Sequence, residues 1–438
     1  MFENIIGQSA VEALKRDFTQ GQLPPSILFW GPEASAKGTA ALELARALSC
    51  EAEGAWNCSC PSCILHRTLS HPDVLLLGPR SFQAEIASAA PVFLADSENN
   101  AARYLFLRAV RKLLARFSPV LWEGDAKISK LNKHLETISD CLEELAANKK
   151  LEKLCEKIIG ACTELESEGV ALMIPASQIR HGSYWLRMAP NGNRKVMIIE
   201  NADKMNDTAR NSLLKILEEP PERAAIILTT ARPKALLPTI LSRLRPYYFT
   251  RRSAGDEAAV LKRIFRQEHE FPRESLRRDE NMIQSFQNNF LPVPAKSLYP
   301  PAAYFWSSLA ARAISRAREE RKADPAGTLV AIGKYCAPRA GAGGLPAHDM
   351  SVKAISAIIM KAAAQFEPRS LFSQFIGLLY ELLGEALNGA AGAAELRCRD
   401  DFRHFAEEAR TAVEVYHQTP VLALECLIEQ LTRAYSLL

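Results

Sequence analysis

Little charge is left uncompensated in this chain: 54 lysines and arginines stand against 50 acids, a formal net of +4. There is no global field to draw in a nucleic acid, so any such contact must come from local patches. No uninterrupted apolar run approaches the about eighteen residues of a membrane span, and no membrane association is expected. The opening Met1-Phe2-Glu3-Asn4 lacks the basic region and apolar stretch of a secretory signal. No aromatic-studded basic strand suggests sequence-specific base reading. Cysteine is sparse outside one place. Six of the ten are scattered and read as small buried apolar groups, whereas Cys50, Cys58, Cys60 and Cys63 cluster. The expected compartment is therefore the reducing cytoplasm.

What is present describes an ordinary folded protein: 438 residues, 48% hydrophobic and 24% charged, enough for two to four domains. Val11, Leu14 and Phe18 predict a helix over residues 9–20. Ser26–Trp30 reads as a buried strand that ends at Gly31-Pro32, and apolar residues then recur at helical spacing from Gly38 to Leu48. Residues 73–77, 195–199 and 224–230 supply three further strands. A helix from about Asn206 to Glu218 separates the last two and is stopped by Pro220-Pro221. Strands alternating with helices predict a mostly parallel sheet flanked by helices, an α/β fold.

Between about 84 and 176 the character changes. Ile128, Leu131, Leu135, Ile138, Leu142 and Leu145 repeat in steps of three and four. Leu151, Leu154, Ile158 and Leu165 resume the pattern after a polar gap at Ala146–Lys150. This predicts an inserted helical hairpin, either folding on itself or offered to a partner. From 251 onward the pattern is helical throughout, with Ala337 to His348 as the clearest loop.

The turn after the first strand sits where a phosphate-binding loop, G-x-x-x-x-G-K-[ST], would be found. In such a loop backbone N–H groups and the lysine meet phosphates and the hydroxyl holds magnesium. Here it reads Gly31-Pro32-Glu33-Ala34-Ser35-Ala36-Lys37-Gly38-Thr39. Gly31 and Lys37 are in place. Ala36 replaces the second glycine, with a methyl group expected to obstruct a positive-φ backbone. Gly38 takes the hydroxyl position and displaces Thr39 by one, while Glu33 adds an adverse charge. The acidic pair that would end the third strand is Glu200-Asn201, and asparagine cannot act as a general base. The residues read as a degenerate nucleotide site of Gly31, Lys37, Thr39 and Glu200. ATP and magnesium binding are doubtful, and hydrolysis is not expected.

Four thiolates in close pairs suit a structural, tetrahedral zinc, which assigns Cys50, Cys58, Cys60 and Cys63 as ligands. His66 and His71 are nearby substitutes, and free buried thiols are the other reading. Basic runs at Arg108-Arg111-Lys112-Arg116, Arg251-Arg252, Lys262-Arg263-Arg266 and Arg316-Arg318-Arg321-Lys322 read as solvated helix faces, with phosphate contact open for one or two.

Phe2-Glu3-Asn4-Ile5-Ile6-Gly7-Gln8, the loop at 31–39, the cysteine group and His71-Pro72-Asp73 together resemble one family. So do Ser177-Gln178-Ile179-Arg180, the run Asn211-Ser-Leu-Leu-Lys-Ile-Leu-Glu-Glu-Pro-Pro221, and Ser242-Arg243. The family is the bacterial clamp-loader subunits of the AAA+ class, the gamma/tau and delta-prime components of DNA polymerase III. The degenerate site makes the delta-prime members the nearer resemblance. It spans about 160 residues in two blocks, of which the 211–221 run is the most specific.

The resemblance implies an AAA+ domain over 1–250 with a zinc knuckle at 50–63 and the insertion at about 84–176. It implies a helical lid over 251–300 and an all-α, collar-like oligomerisation domain over 301–438. It further implies that Arg243, followed by Leu244 where the family has cysteine, is a trans-acting arginine finger for a neighbour's ATP. The alternative for Arg243 is a surface salt bridge. Thr229 or Thr230 would hold the polar sensor position. The family knuckle is spaced C-x8-C-x2-C-x2-C, against C-x7-C-x1-C-x2-C here, which leaves its geometry less certain.

The function so implied is a stator in the bacterial DNA polymerase III clamp loader, partnered by gamma/tau and delta and, through the complex, by the sliding clamp and primed DNA. Two other readings stand beside it. One is an active gamma/tau-type ATPase. The other is a zinc-containing nucleic-acid-binding scaffold outside replication.

Overall fold

The computed structural model describes residues 1–145, 150–171, 173–267, 281–291, 295–321, 327–341, 351–362, 368–387, 392–414, 416 and 418–437. These divide into two compact units, Met1–Asn289 and Phe290–Leu438.

The first unit is built on a parallel sheet of β1 (Ser26–Trp30), β2 (Val74–Leu77), β3 (Lys195–Ile199), β4 (Ala224–Thr230) and β5 (Arg245–Tyr248), in the order β2-β3-β4-β1-β5. Every residue of β3 and β4 is buried, as expected of parallel strands covered on both faces. Alternate side chains divide between two cores. Leu28, Leu75, Leu77, Met197, Ile199, Ile226 and Leu228 face α8 (Ala176–Arg187) and α9 (Asp207–Glu218). Ile27, Phe29, Leu76, Val196, Ile198 and Ile227 face α1 (Ala10–Thr19) and α2 (Lys37–Ser49). The β1–α2 connection is the candidate phosphate loop, so the topology puts residues 31–36 at the C-terminal edge of the sheet.

The sequence reading missed β5. Its pattern Arg-Pro-Tyr-Tyr is mostly exposed and contains a proline, which an edge strand tolerates and a central one does not. Only Tyr247 turns inward, edge-on to Phe29 at 6.0 Å, with its hydroxyl donating to Asp17 Oδ2 at 2.6 Å.

Two close backbone approaches hold the strand ends. A Cβ on Gly31 would lie 2.0 Å from the Phe249 carbonyl oxygen, and one on Gly78 would lie 2.0 Å from that of Glu200. Both glycines have positive φ, +148° and +107°.

Short α3 (Pro61–Arg67) is capped by Cys60 and carries Cys63, with proline in its first turn. Between β2 and β3 the expected hairpin is present as α6 (Ile128–Glu144) packed on α7 (Leu151–Gly169). It does not stand alone. α4 (Gln83–Ala95) and α5 (Asn100–Leu114) precede it and close a separate core of Phe82, Phe93, Phe106, Leu113, Ile138, Ile158 and Leu165. α4 is so uniformly apolar that it has almost no polar face, so amphipathic periodicity could not reveal it. Residues 146–149 of the expected polar gap lie outside the described residues.

α10 (Pro238–Leu241) precedes β5, whereas α11 (Ala254–Phe265) and α12 (Met282–Asn288) follow it and pack on each other and on α4. Ser253 and Asp256 form a reciprocal capping box at the start of α11.

The second unit is all-helical among its described residues: α13 (Ala295–Arg321), α14 (Gly327–Cys336), α15 (Val352–Ala362), α16 (Pro368–Ala386), α17 (Ala393–Glu414) and α18 (Pro420–Tyr435). Its core surrounds Trp306, whose indole donates to the Leu379 carbonyl at 2.8 Å. Within the loop expected at Ala337–His348, Ala337–Ala340 forms a 3-10 turn, and 342–350 lies outside the described residues. No described helix is long and apolar enough to cross a membrane.

Candidate functional site

The loop between β1 and α2, residues 31–36, leaves the end of the strand and turns directly into the helix. Gly31 N donates to the Thr230 carbonyl at 3.2 Å. Ala34 and Ala36 both take left-handed backbone, with φ of +54° and +69°. The methyl of Ala36 was expected to obstruct that shape. Instead the shape is adopted, at a cost of about 1–2 kcal/mol for a residue with a Cβ. Arg252 braces the loop from the far end of the unit, donating to the Ala34 and Ile6 carbonyls.

Lys37, the first residue of α2, is turned onto the loop's own acceptors. Its ammonium donates to Gly31 O at 2.8 Å, to Ser35 Oγ at 3.2 Å and to Pro32 O. Burial lowers its pKa to about 8, against the opposing pull of Glu33, Asp203 and Glu200. Glu33 is exposed and accepts from Gln284 Nε2 at 3.3 Å.

Thr39 is exposed on the second residue of α2 past Lys37. Glu200 follows β3 directly and lies over the start of α2: a Cβ on Gly38 would come within 2.5 Å of its Oε1. Asn201, in left-handed backbone, donates its side-chain amide to the Pro79 carbonyl at 2.8 Å. Thr230 donates its hydroxyl to Asp203 Oδ1 at 2.6 Å and accepts from Arg232 N. Thr229 Oγ1 accepts from Asn201 N at 3.3 Å. Gly31, Lys37, Glu200 and the two threonines therefore converge on one region, with Thr39 turned to solvent.

The basic run Arg108-Arg111-Lys112-Arg116 is not a solvated face. Arg108 and Arg111 donate to the His66 and Thr68 carbonyls, tying α5 to α3. Arg116 is buried and pairs with Glu200 Oε2; Arg80 Nη1 lies 3.6 Å from Oε1. Arg80 and Lys112 share Glu85, and the Arg80 and Arg116 guanidiniums lie over the Phe82 ring at 4.9 and 5.2 Å. Burial pushes the Glu200 carboxyl upward, but Arg80, Arg116 and Lys112 outweigh it and hold it below its ordinary range. Sequence reasoning missed these partners of Glu200. The available signal was cations at 108, 112 and 116, four apart and so on one helical face.

Arg243 follows α10 on the surface. Its guanidinium donates to Glu218 Oε1 at 2.8 Å and to the Thr239 carbonyl at 2.7 Å.

The four knuckle cysteines meet. Their sulfurs all lie within 4.8 Å of one another, and Cys50 and Cys58 are 3.6 Å apart. Tetrahedral zinc–sulfur bonds of about 2.3 Å place ligand sulfurs about 3.8 Å apart, so the shortened middle spacing still brings together a set that could hold a metal. Ala52 N and Cys63 N donate to the Cys50 and Cys60 sulfurs, and Arg46 Nη1 donates to Cys63 at 3.0 Å. These contacts favour thiolates. His66 and His71 stack on each other at 4.3 Å and are not part of the sulfur cluster.

Residues 6–253, more than half of the chain, match the family described as DNA polymerase III, delta subunit. The chain belongs to that family. Among curated proteins, 80 residues are 41% identical to DNA polymerase III subunit delta' of Pseudomonas aeruginosa, covering 18% of this chain and 24% of that one. A further 74 residues' match is 40% identical to DNA polymerase III subunit gamma/tau of Mycobacterium tuberculosis, covering 17% and 13%. The chain thus spans less than a quarter of the length of these curated relatives. A solved structure titled a DNA polymerase III, gamma subunit-related protein from Thermotoga maritima aligns over 98% of this chain at 15% identity, with a TM-score of 0.40.

Proposed function

We propose that this chain is a delta-prime-like, non-hydrolysing subunit of a bacterial DNA polymerase III clamp loader, acting as a stator beside ATPase subunits. The observation that carries the reading is Asn201. The position that would orient or activate an attacking water holds an amide, and that amide is spent on the Pro79 carbonyl. Family membership supports the assembly, and the relatives' names support a setting in DNA replication.

In this reading Arg243 is the subunit's contribution to chemistry, reaching the γ-phosphate of ATP held by a neighbour, where a planar guanidinium makes directed bonds to phosphate oxygens. In the single chain it rests on Glu218. An exposed pair of this kind is worth about 0–1 kcal/mol, so a phosphate can displace the carboxylate at little cost. The four cysteines hold zinc, which when bound cross-links the end of α2 to α3. The gamma/tau and delta subunits are the partners proposed, with the sliding clamp and primed DNA reached through the complex.

Two measurements test this. The purified chain should show no ATP turnover above a Lys37→Ala control; brisk, Lys37-dependent turnover would make it an active motor instead. In a loader reconstituted with its partners, Arg243→Ala should slow clamp loading about 10³-fold or more while assembly is intact. Unchanged loading would leave Arg243 as a surface ion pair.

A further inference from the structure

The magnesium that an active site of this kind uses does not fit here. The hydroxyl that would bind it is replaced by Gly38, and Glu200, the acid kept of the pair at 200–201, is already engaged on both oxygens. A divalent ion needs about six oxygen ligands in near-ideal octahedral array, whereas Glu200 is surrounded by the nitrogen cations Arg80, Lys112 and Arg116.

We propose that the helical insertion carries a permanent cation for this site: the Arg116 guanidinium, seconded by Arg80, takes the place of the divalent ion against Glu200. The pocket is thereby assembled without metal and closed to it. The inference rests on the non-hydrolysing reading above and says what replaced the chemistry.

Three features make the replacement a single construction. Glu200 lies over the start of α2 at the residue that has no side chain; a Cβ on residue 38 would come 2.5 Å from its Oε1 and displace the carboxylate end from its place between the cations. Arg116, in the 3-10 turn Ala115–Phe117 that follows α5, is placed by the insertion's own core: its carbonyl accepts from Trp122 Nε1 at 2.7 Å, and its guanidinium lies over Phe82. A second carboxylate, Glu85 on α4, holds Arg80 and Lys112, so the cations are not left to repel one another unopposed. The glycine at 38, the carboxylate at 200 and the arginine at 116 meet at one point, which loss of a nucleotide site by itself would not require.

A metal-dependent pocket rearranges when its nucleotide leaves. One closed by a covalently attached guanidinium stays constant through a neighbour's cycle. The ion pair also ties the insertion to the end of β3 across 84 residues of sequence. A rigid link between those parts is what a stator requires.

The test uses the intact chain, desalted without chelator so that metal on the knuckle cysteines is left in place, with Mn²⁺ as the probe. Wild-type protein should bind no Mn²⁺ in a Glu200-dependent manner, with or without ATP, and its melting temperature should not respond to millimolar Mg²⁺. Arg116→Ala should melt about 5–10 °C lower. Millimolar Mg²⁺ or Mn²⁺ should recover part of that loss, and the recovery should vanish in Arg116→Ala/Glu200→Gln. If Arg116→Ala does not fold, Arg116→Lys, which keeps the charge and loses the planar group over Phe82, should melt below wild type and remain indifferent to metal.

Wild-type Mn²⁺ binding that Glu200→Gln abolishes would overturn the proposal. So would an Arg116→Ala protein that melts like wild type. Either result without ATP turnover defeats only the surrogate cation, whereas turnover by the wild-type chain defeats the non-hydrolysing reading itself.

Discussion

At the scale of single residues, the loop at 31–37 separates shape from chemistry. Ala36 bears a strained backbone that glycine would adopt freely. Ala36→Gly should therefore stabilise the protein by about 0.5–1 kcal/mol in denaturant titration, where the same change inside a helix would cost about as much. Lys37 gives a pH signature. Its folded-state pKa of about 8 lies below its unfolded value of 10.5, so between these values the unfolded chain binds more protons. Stability then rises with pH across that window, and Lys37 should contribute about 2 kcal/mol more at pH 10 than at pH 7. The difference between wild type and Lys37→Met, taken at both pH values, isolates this from Lys112, which burial shifts the same way. A difference that does not change with pH would mean that the ammonium is solvated. Gly31, Lys37, Glu200 and Asn201 could be singled out in the sequence because the phosphate-loop pattern has fixed spacing, and the fold does bring Gly31, Lys37 and Glu200 near one another. Arg80 and Arg116 were not, because they reach Glu200 through an insertion whose packing no local pattern specifies.

At the scale of elements, the sequence could be read where a short apolar run is bounded by turn residues or a helix has one polar face, and not where neither holds. β1, β3, β4 and α9 are bounded within a residue or two of their expected ends, and the 128–165 heptad-like pattern becomes α6 and α7. The apolar α4 gave no alternation to read, and β5 hid behind a proline and an arginine. The knuckle was legible as a cluster but not as a geometry, since spacing alone does not say whether C-x-C can close a tetrahedron. Metal analysis of the purified chain should find about one zinc, and stripping it should lower the melting temperature and expose Cys50 and Cys63, both buried here, to thiol reagents. Unchanged melting and reactivity after chelation would make the four sulfurs ordinary thiols. Because α3 has only seven residues, little helical signal should be lost with the metal.

At the scale of the whole molecule, the described residues form two units with separate cores, divided after Asn289. The second has Trp306, Phe305, Phe402 and Tyr435 fully buried among its own helices. A fragment of 290–438 should accordingly be helical and melt cooperatively by circular dichroism. A fragment of 301–438 removes the first turns of α13, including the buried Leu298, and should be less stable by about 2 kcal/mol or more. Equal stability of the two fragments would place the boundary nearer 300. The two glycines at the strand ends carry a consequence for reading this fold by mutagenesis. In a saturation library selected only for folded protein, positions 31 and 78 should return glycine alone, since any other side chain would strike a neighbouring main-chain oxygen. The first letter of the nucleotide signature would then persist under selection even in lineages that had abandoned ATP altogether, an architectural relic easily mistaken for a working enzyme.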